Sequence, residues 1–227
     1  MESSKPTGKS TAQKKATLIC FAVKEEGAPF LKLVKNNPSI SVLITGMGRK
    51  NAERAILQSL PKTLPGLVLT CGFAGALDPR LKIGDVLFEA DEESRIAPSL
   101  QEAGASPAKF HCATRVAITI AEKTALRKST GADVVEMESE FIRQICRDKK
   151  IPCATVRAIS DSALHDLPLD FNELMTEDDT LSFSRLSLAL MKSPGKIPQL
   201  MQLQKNTRLA AQKLAAVLEK LLIDRGR

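Results

Sequence analysis

The chain has 227 residues, 43% of them hydrophobic, a formal net charge of +7, and neither Trp nor Tyr. That length and apolar fraction suit one well-filled domain, and no apolar run approaches the roughly 18 residues of a membrane-spanning helix, so no membrane span is expected. The charge does not point to nucleic acid: residues 1–15 carry +3 and residues 200–227 carry +4, leaving the rest neutral, and there is no Trp or Tyr on which a single strand could stack its bases.

In chain order, residues 1–15 read as a disordered basic tail ahead of a single domain over 16–227. The tail contains GKST at 8–11, which imitates the end of a phosphate-binding loop. The imitation fails, because Ser3 stands where that loop needs Gly and no apolar run precedes it. TLICFAV (17–23) predicts a buried strand, PFLKLVKN a helix, SVLITG (41–46) a second strand, RKNAERAILQSL a helix and GLVLTCG (66–72) a third strand. IGDVLFEA adds a strand opened by a Gly-Asp turn, KFHCATRVAITI one or two strands, IAEKTALRKST (120–130) a short helix and ADVVEM a strand. SEFIRQICRDKK follows as a helix and PCATVRAIS (152–160) as the last buried strand. This alternation predicts an α/β fold with a central, mostly parallel mixed sheet flanked by helices. HDLPLDFNELMTEDD (165–179) reads as a mobile acidic loop, and Leu200, Leu203, Leu214, Val217, Leu218 and Leu221 line one side of a terminal helix.

The five cysteines, Cys20, Cys71, Cys112, Cys146 and Cys153, form no CxxC pair and have no metal-ligand spacing. They read as reduced thiols of a cytoplasmic protein, with neither metal nor cofactor expected. The candidate functional residues fall at strand ends instead: Glu25 and Glu26 after the first strand, Gly46-Met47-Gly48 after the second, Gly72-Phe73-Ala74-Gly75 after the third, Glu136 and Glu138 after a later one, and Ser160-Asp161 after the last. The ends of parallel strands share one edge, where open α/β sheets bind small molecules. In VVEMES (134–139) the two acids would share one face of a strand, an unfavourable pairing unless something binds them or one side chain turns away.

Five segments, AVKEE (22–26), TGMGRKNA (45–52), TCGFAGALDPRLKIGD (70–85), VVEMES (134–139) and VRAISD (156–161), resemble in order those of the purine nucleoside phosphorylase and nucleosidase superfamily. Their wording is similar to that of the methylthioadenosine/S-adenosylhomocysteine nucleosidases, and KSPGKIPQLMQL resembles the hopanoid-associated phosphorylases. The resemblance implies a nucleoside phosphorylase-like fold and cleavage of a purine N-glycosidic bond, with no cofactor, a small-molecule nucleoside as partner and a homo-oligomer, a dimer, as assembly. It implies Asp161 as the acid at purine N7 and Glu26 as the group that orients or deprotonates water. It also implies Glu138 as acceptor of the ribose hydroxyls, Met137 packed on the sugar, and Glu136 as a second water or sugar contact. Ser160 steadies Asp161, while Met47, Phe73, Ala74 and Gly75 complete the substrate pocket. Arg157 reads equally as a structural counter-charge.

The chain departs from those patterns in two places. Thr70 and Phe73 stand where phosphorylases carry an Arg and a hydroxyl for phosphate, and where nucleosidases carry a Ser at the second position. The stretch from Val86 to Thr119 is also short, in the region that helps shape the 5′ pocket of relatives. Hydrolysis of an adenine nucleoside with a 5′ substituent is the expected activity. Phosphorolysis using Arg49 or Arg80, with the glycine-segment amides as an anion nest, and an inactive nucleoside-binding protein remain as alternatives.

Overall fold

The computed structural model describes residues 16–176 and 182–222, so the basic tail and the last part of the acidic loop lie outside the described residues. The elements run β1 (Thr17–Phe21), α1 (Lys24–Val34), β2 (Ile40–Ile44), α2 (Gly48–Thr63), β3 (Leu67–Ala76), β4 (Val86–Ala90), α3 (Ala97–Ala103), β5 (Ser106–Pro107), β6 (Phe110–Cys112) and α4 (Ile120–Thr130). They continue with β7 (Val134–Glu136), α5 (Ser139–Asp148), β8 (Cys153–Asp161), α6 (Phe171–Leu174), α7 (Phe183–Lys192) and α8 (Ile197–Leu222). No element is predicted for 97–107, where α3 and β5 form, and the KFHCATRVAITI segment yields one strand, β6.

The strands make one mixed sheet in the order β2-β1-β3-β8-β4-β5, with β7 attached to β3 and β6 to β7. The β1–β2, β1–β3 and β3–β8 pairs are parallel, whereas β4 runs antiparallel to β8 and β7 antiparallel to β3. Both faces are covered, which is why the central strands read as unbroken apolar runs. Alternate residues of β1 enter different cores: Ile19 and Phe21 join the layer that holds Leu214 and Leu218 of α8, while Leu18 and Cys20 join the layer that holds Ile56 of α2 and Ile142 of α5. Only the second half of α8 is buried, through Ala210, Leu214, Leu218 and Leu221, and Met201 near its start is exposed. Leu200 and Leu203 are half-buried.

Three departures from the sequence reading shape the site. First, β1 ends at Phe21 rather than Val23, because the N–H groups of Ala22 and Val23 turn to the carboxylate of Glu26 at 2.9 and 3.2 Å. Second, the third strand does not end at Gly72: β3 continues through Phe73, Ala74 and Gly75 to Ala76. Third, β7 stops at Glu136, and Glu138 sits outside it as the residue preceding α5, so the two acids do not share a strand face. Part of the acidic loop forms α6, capped by Asp170 and anchored by buried Leu174.

Candidate active site

The parallel run of β1, β2, β3 and β8 puts their carboxyl ends on one edge, and β7, entering antiparallel beyond the end of β3, delivers its own carboxyl end back to the same place. There a cavity of about 160 Å³ is lined by the ten residues to which the resemblance gives a part, Glu26, Met47, Phe73, Ala74, Gly75, Glu136, Met137, Glu138, Ser160 and Asp161, whereas Glu25, Gly46, Gly48 and Gly72 do not line it and Glu25 is exposed. Residues 115–117 form a further wall. The backbone of that wall is fixed from α6, since Val116 N–H donates to Asn172 Oδ1 at 2.8 Å and Asn172 Nδ2 donates to Val116 O at 3.0 Å. A larger cavity of about 600 Å³ lies against the same segment but touches none of Glu26, Glu138 and Asp161.

Three buried carboxylates surround one guanidinium. Arg157, on β8, donates from Nη2 to Glu136 Oε2 at 2.7 Å and to Glu138 Oε2 at 3.3 Å. Burial works against its charge, but Glu136, Glu138 and Glu26 overcome that and hold its pKa above the usual value. This fills the role of structural counter-charge. Glu136 is further occupied: its Oε2 accepts from the N–H of Glu138 at 3.0 Å and of Ser139 at 2.8 Å, and its Oε1 accepts from Ser139 Oγ at 2.7 Å. Its observed work is therefore to anchor Arg157 and the start of α5.

Glu26 and Glu138 are held by backbone donors. Glu26 Oε1 accepts from Phe73 N–H at 2.9 Å, across from the two donors at its other oxygen. Phe73 thus contributes its main chain, while its ring packs against the core. Glu138 Oε1 accepts from Gly48 N–H at 3.1 Å, at the N-terminus of α2, where helix donors are unpaired and favour negative charge. Burial pushes the Glu26 carboxyl up and that of Glu138 up to about 7, against the opposing pull of Arg157. Carboxylates raised in this way are better proton acceptors at neutral pH.

Asp161 is placed by a bulge. The β3–β8 register passes from Ala74 opposite Ile159 to Gly75 opposite Asp161, which leaves Ser160 as the extra residue. Neighbouring residues of a regular strand face opposite ways; the bulge turns both Ser160 and Asp161 to the cavity. Ser160 Oγ donates to Asp161 Oδ1 at 3.1 Å, and Lys123 Nζ donates to Oδ2 at 2.8 Å. Lys123 was not among the sequence candidates. A lysine on an amphipathic helix reads as solvated, yet its spacing from half-buried Leu126, Arg127 and Thr130, at i+3, i+4 and i+7, marks it as facing inward.

The two arginines considered for phosphate lie elsewhere. The Arg49 guanidinium sits over the Phe141 ring, 4.6 Å from its centroid, and pairs with Glu53 at 2.9 Å. Arg80 pairs with Asp78 at 2.7 Å and lines a different cavity. Among the described residues, no group of three or more His, Cys, Asp or Glu could hold a metal ion, and no helix is long and apolar enough to cross a membrane.

Comparison with known proteins places this geometry in context. Residues 105–223 match the model of the phosphorylase superfamily. The chain is 28% identical over 173 residues to the 5′-methylthioadenosine/S-adenosylhomocysteine nucleosidase of Glaesserella parasuis, covering 62% of this chain and 75% of that one. It is 26% identical over 197 residues to the Staphylococcus carnosus protein of the same name, covering 72% and 86%. Its fold is that of the futalosine hydrolase of Helicobacter pylori, with a TM-score of 0.69 at 17% identity over 93% of this chain and 98% of that one.

Proposed function

Because the chain belongs to the phosphorylase superfamily, we propose that it hydrolyses the N-glycosidic bond of a purine nucleoside, an adenine nucleoside bearing a 5′ substituent, without a cofactor. Asp161 gives a proton to N7 of the departing base, and Glu26 takes one from the attacking water. Glu138 accepts the ribose hydroxyls, with Met137 against the sugar. Such a bond breaks through an oxocarbenium-like ribosyl group, and a cavity walled by Glu26 and Glu138 favours positive charge developing there.

One observation carries hydrolysis over phosphorolysis. The backbone N–H groups of Gly48 and Phe73, where an incoming anion would need donors, already donate to Glu138 and Glu26, and Arg49 and Arg80 are engaged away from the cavity. Phosphate, a dianion near neutral pH, would meet carboxylates rather than a fork of donors. The names of the relatives, nucleosidases for 5′-substituted adenosines and a futalosine hydrolase, support the same direction. A cytoplasmic homodimer belongs to this reading, supported by five free cysteines and by exposed Leu188 and Met191 on α7, and sedimentation tests the dimer.

The deciding experiment incubates the protein with methylthioadenosine, S-adenosylhomocysteine, futalosine, adenosine and inosine, with and without phosphate, and identifies base and sugar by mass spectrometry. Free 5-substituted ribose at a rate indifferent to phosphate is expected. Ribose 1-phosphate as product would establish phosphorolysis, and binding without base release would establish a nucleoside-binding protein.

A further inference from the structure

Lys123 is the fourth residue of α4 and is 1% exposed. A capping box sets its place: Thr119 Oγ1 accepts from Glu122 N–H at 3.1 Å, and Glu122 Oε2 accepts from Thr119 N–H at 3.0 Å. Its Nζ meets three acceptors, Asp161 Oδ2 at 2.8 Å, Ser162 O at 2.8 Å and His165 O at 3.1 Å. An ammonium has three N–H donors, so its full complement is used, all of it on β8's last residue and the loop that follows. Burying an ammonium is unfavourable, and a position that needed only packing would accept Met or Leu. The arrangement holds the strand end, the loop and one oxygen of Asp161 at a single charged point.

We propose that Lys123 is a positioning residue for the reaction: it holds Oδ2 of Asp161 so that Oδ1 is the oxygen offered to the base, and its charge favours the carboxylate that Asp161 becomes on giving up its proton. This rests on Asp161 being the acid. As the bond from the anomeric carbon to the base nitrogen breaks, its electron pair passes to the base and the proton on Asp161 Oδ1 passes to N7. Lys123 faces a neutral carboxyl only while Asp161 carries the proton destined for N7, and once that proton has passed it faces the carboxylate again, as in the ion pair of the free enzyme. The water that adds to the sugar loses its proton to Glu26, and solvent exchange returns both acids to their starting states. An ion pair that strengthens as the proton leaves acts on the transition state more than on substrate binding, so it appears in kcat rather than KM.

The test measures kcat and KM for the wild type, Lys123→Met, Asp161→Asn and the double variant, on the panel nucleoside that the wild type hydrolyses fastest, with circular dichroism melting for each. Lys123→Met is expected to lower kcat by about 10- to 100-fold, a part of what general acid catalysis is worth, with KM within about threefold. The double variant is expected to be no slower than Asp161→Asn, because without the acid there is no carboxylate to stabilise. Wild-type kcat in Lys123→Met, or losses that multiply in the double variant, would overturn the proposal while leaving Asp161 as the acid. Wild-type kcat in Asp161→Asn would overturn the acid assignment and this proposal with it. If Lys123→Met does not fold, Lys123→Gln, which keeps an amide donor without the charge, takes its place under the same criteria. Loss of fold in both would assign Lys123 to stability alone and overturn the proposal.

Discussion

Nη2 of Arg157 lies 2.7 Å from Oε2 of Glu136, with the two side chains 2% and 1% exposed. Neither has water to fall back on. Because the same nitrogen also reaches Glu138 and the guanidinium charge acts on Glu26, one cation pairs with two acids and offsets the charge of a third at the sheet edge.

Arg157→Met should therefore be strongly destabilising, by about 3–5 kcal/mol, the usual result of removing one partner of a buried pair. The loss should shrink at low pH, where the stranded carboxyls can protonate. Urea unfolding at pH 8 and pH 5.5 checks both points, and a variant as stable as the wild type at pH 8 would refute the counter-charge role.

Asp161→Asn should slow base release by about 10²–10⁴-fold. It is nearly isosteric, yet it should not be silent in stability, because Lys123 remains 1% exposed with its charge and loses the carboxylate opposite. A loss of about 1–3 kcal/mol is expected, as for a hydrogen bond to a charged group. Unchanged turnover on the best nucleoside would remove Asp161 from the reaction.

Glu138 links stability to pH. Its folded-state pKa, pushed up to about 7 by burial, lies above the unfolded value of about 4.3. The native state thus holds the extra proton between the two, and stability falls as pH rises through that window. Glu138→Gln removes the titration, so its stability relative to the wild type should improve from pH 4.5 to pH 8, while its nucleoside binding weakens. Equal differences in urea midpoint at both pH values would contradict the raised pKa.

The central strands were legible along the chain because β1, β3 and β8 are covered on both faces, so TLICF, LVLTC and CATVRAIS stand out as apolar runs without alternation, whereas their order in the sheet was not. The rim residues were legible as positions but not as partners. The sequence ends the third strand at Gly72, whereas β3 continues to Ala76 and Gly72 within it has a positive φ of 153° and leaves no room for a Cβ beside Glu26 and Arg157. The bulge that turns Ser160 and Asp161 together leaves no mark on local sequence, since it depends on how β8 registers with β3. Lys123 was hidden because its acceptors, Asp161, Ser162 and His165, lie 38, 39 and 42 residues further along the chain.

Gly72 gives the sharpest test of how tightly the acids are assembled. A Cβ there would lie 2.6 Å from Glu26 Oε1 and 2.9 Å from Glu26 Cδ, and closer still to Nη1 of Arg157. Flexible side-chain ends usually swing aside, but these cannot do so freely: Glu26 is fixed by the N–H groups of Ala22, Val23 and Phe73, and Arg157 by Glu136 and Glu138. Gly72→Ala should thus cost about 1–3 kcal/mol, as overpacking does, with its positive φ of 153° adding backbone strain, and should lower turnover by displacing Glu26 from its donors. Gly195→Ala is the matched control, since a Cβ there meets nothing within 4 Å, and it should stay within about 0.5 kcal/mol of the wild type. Urea midpoints and turnover of the two variants, measured side by side, decide the matter. If Gly72→Ala behaves like Gly195→Ala in both, the packing of Glu26 and Arg157 against Gly72 is looser than these distances require, and the preorganised cluster fails as an account of the site.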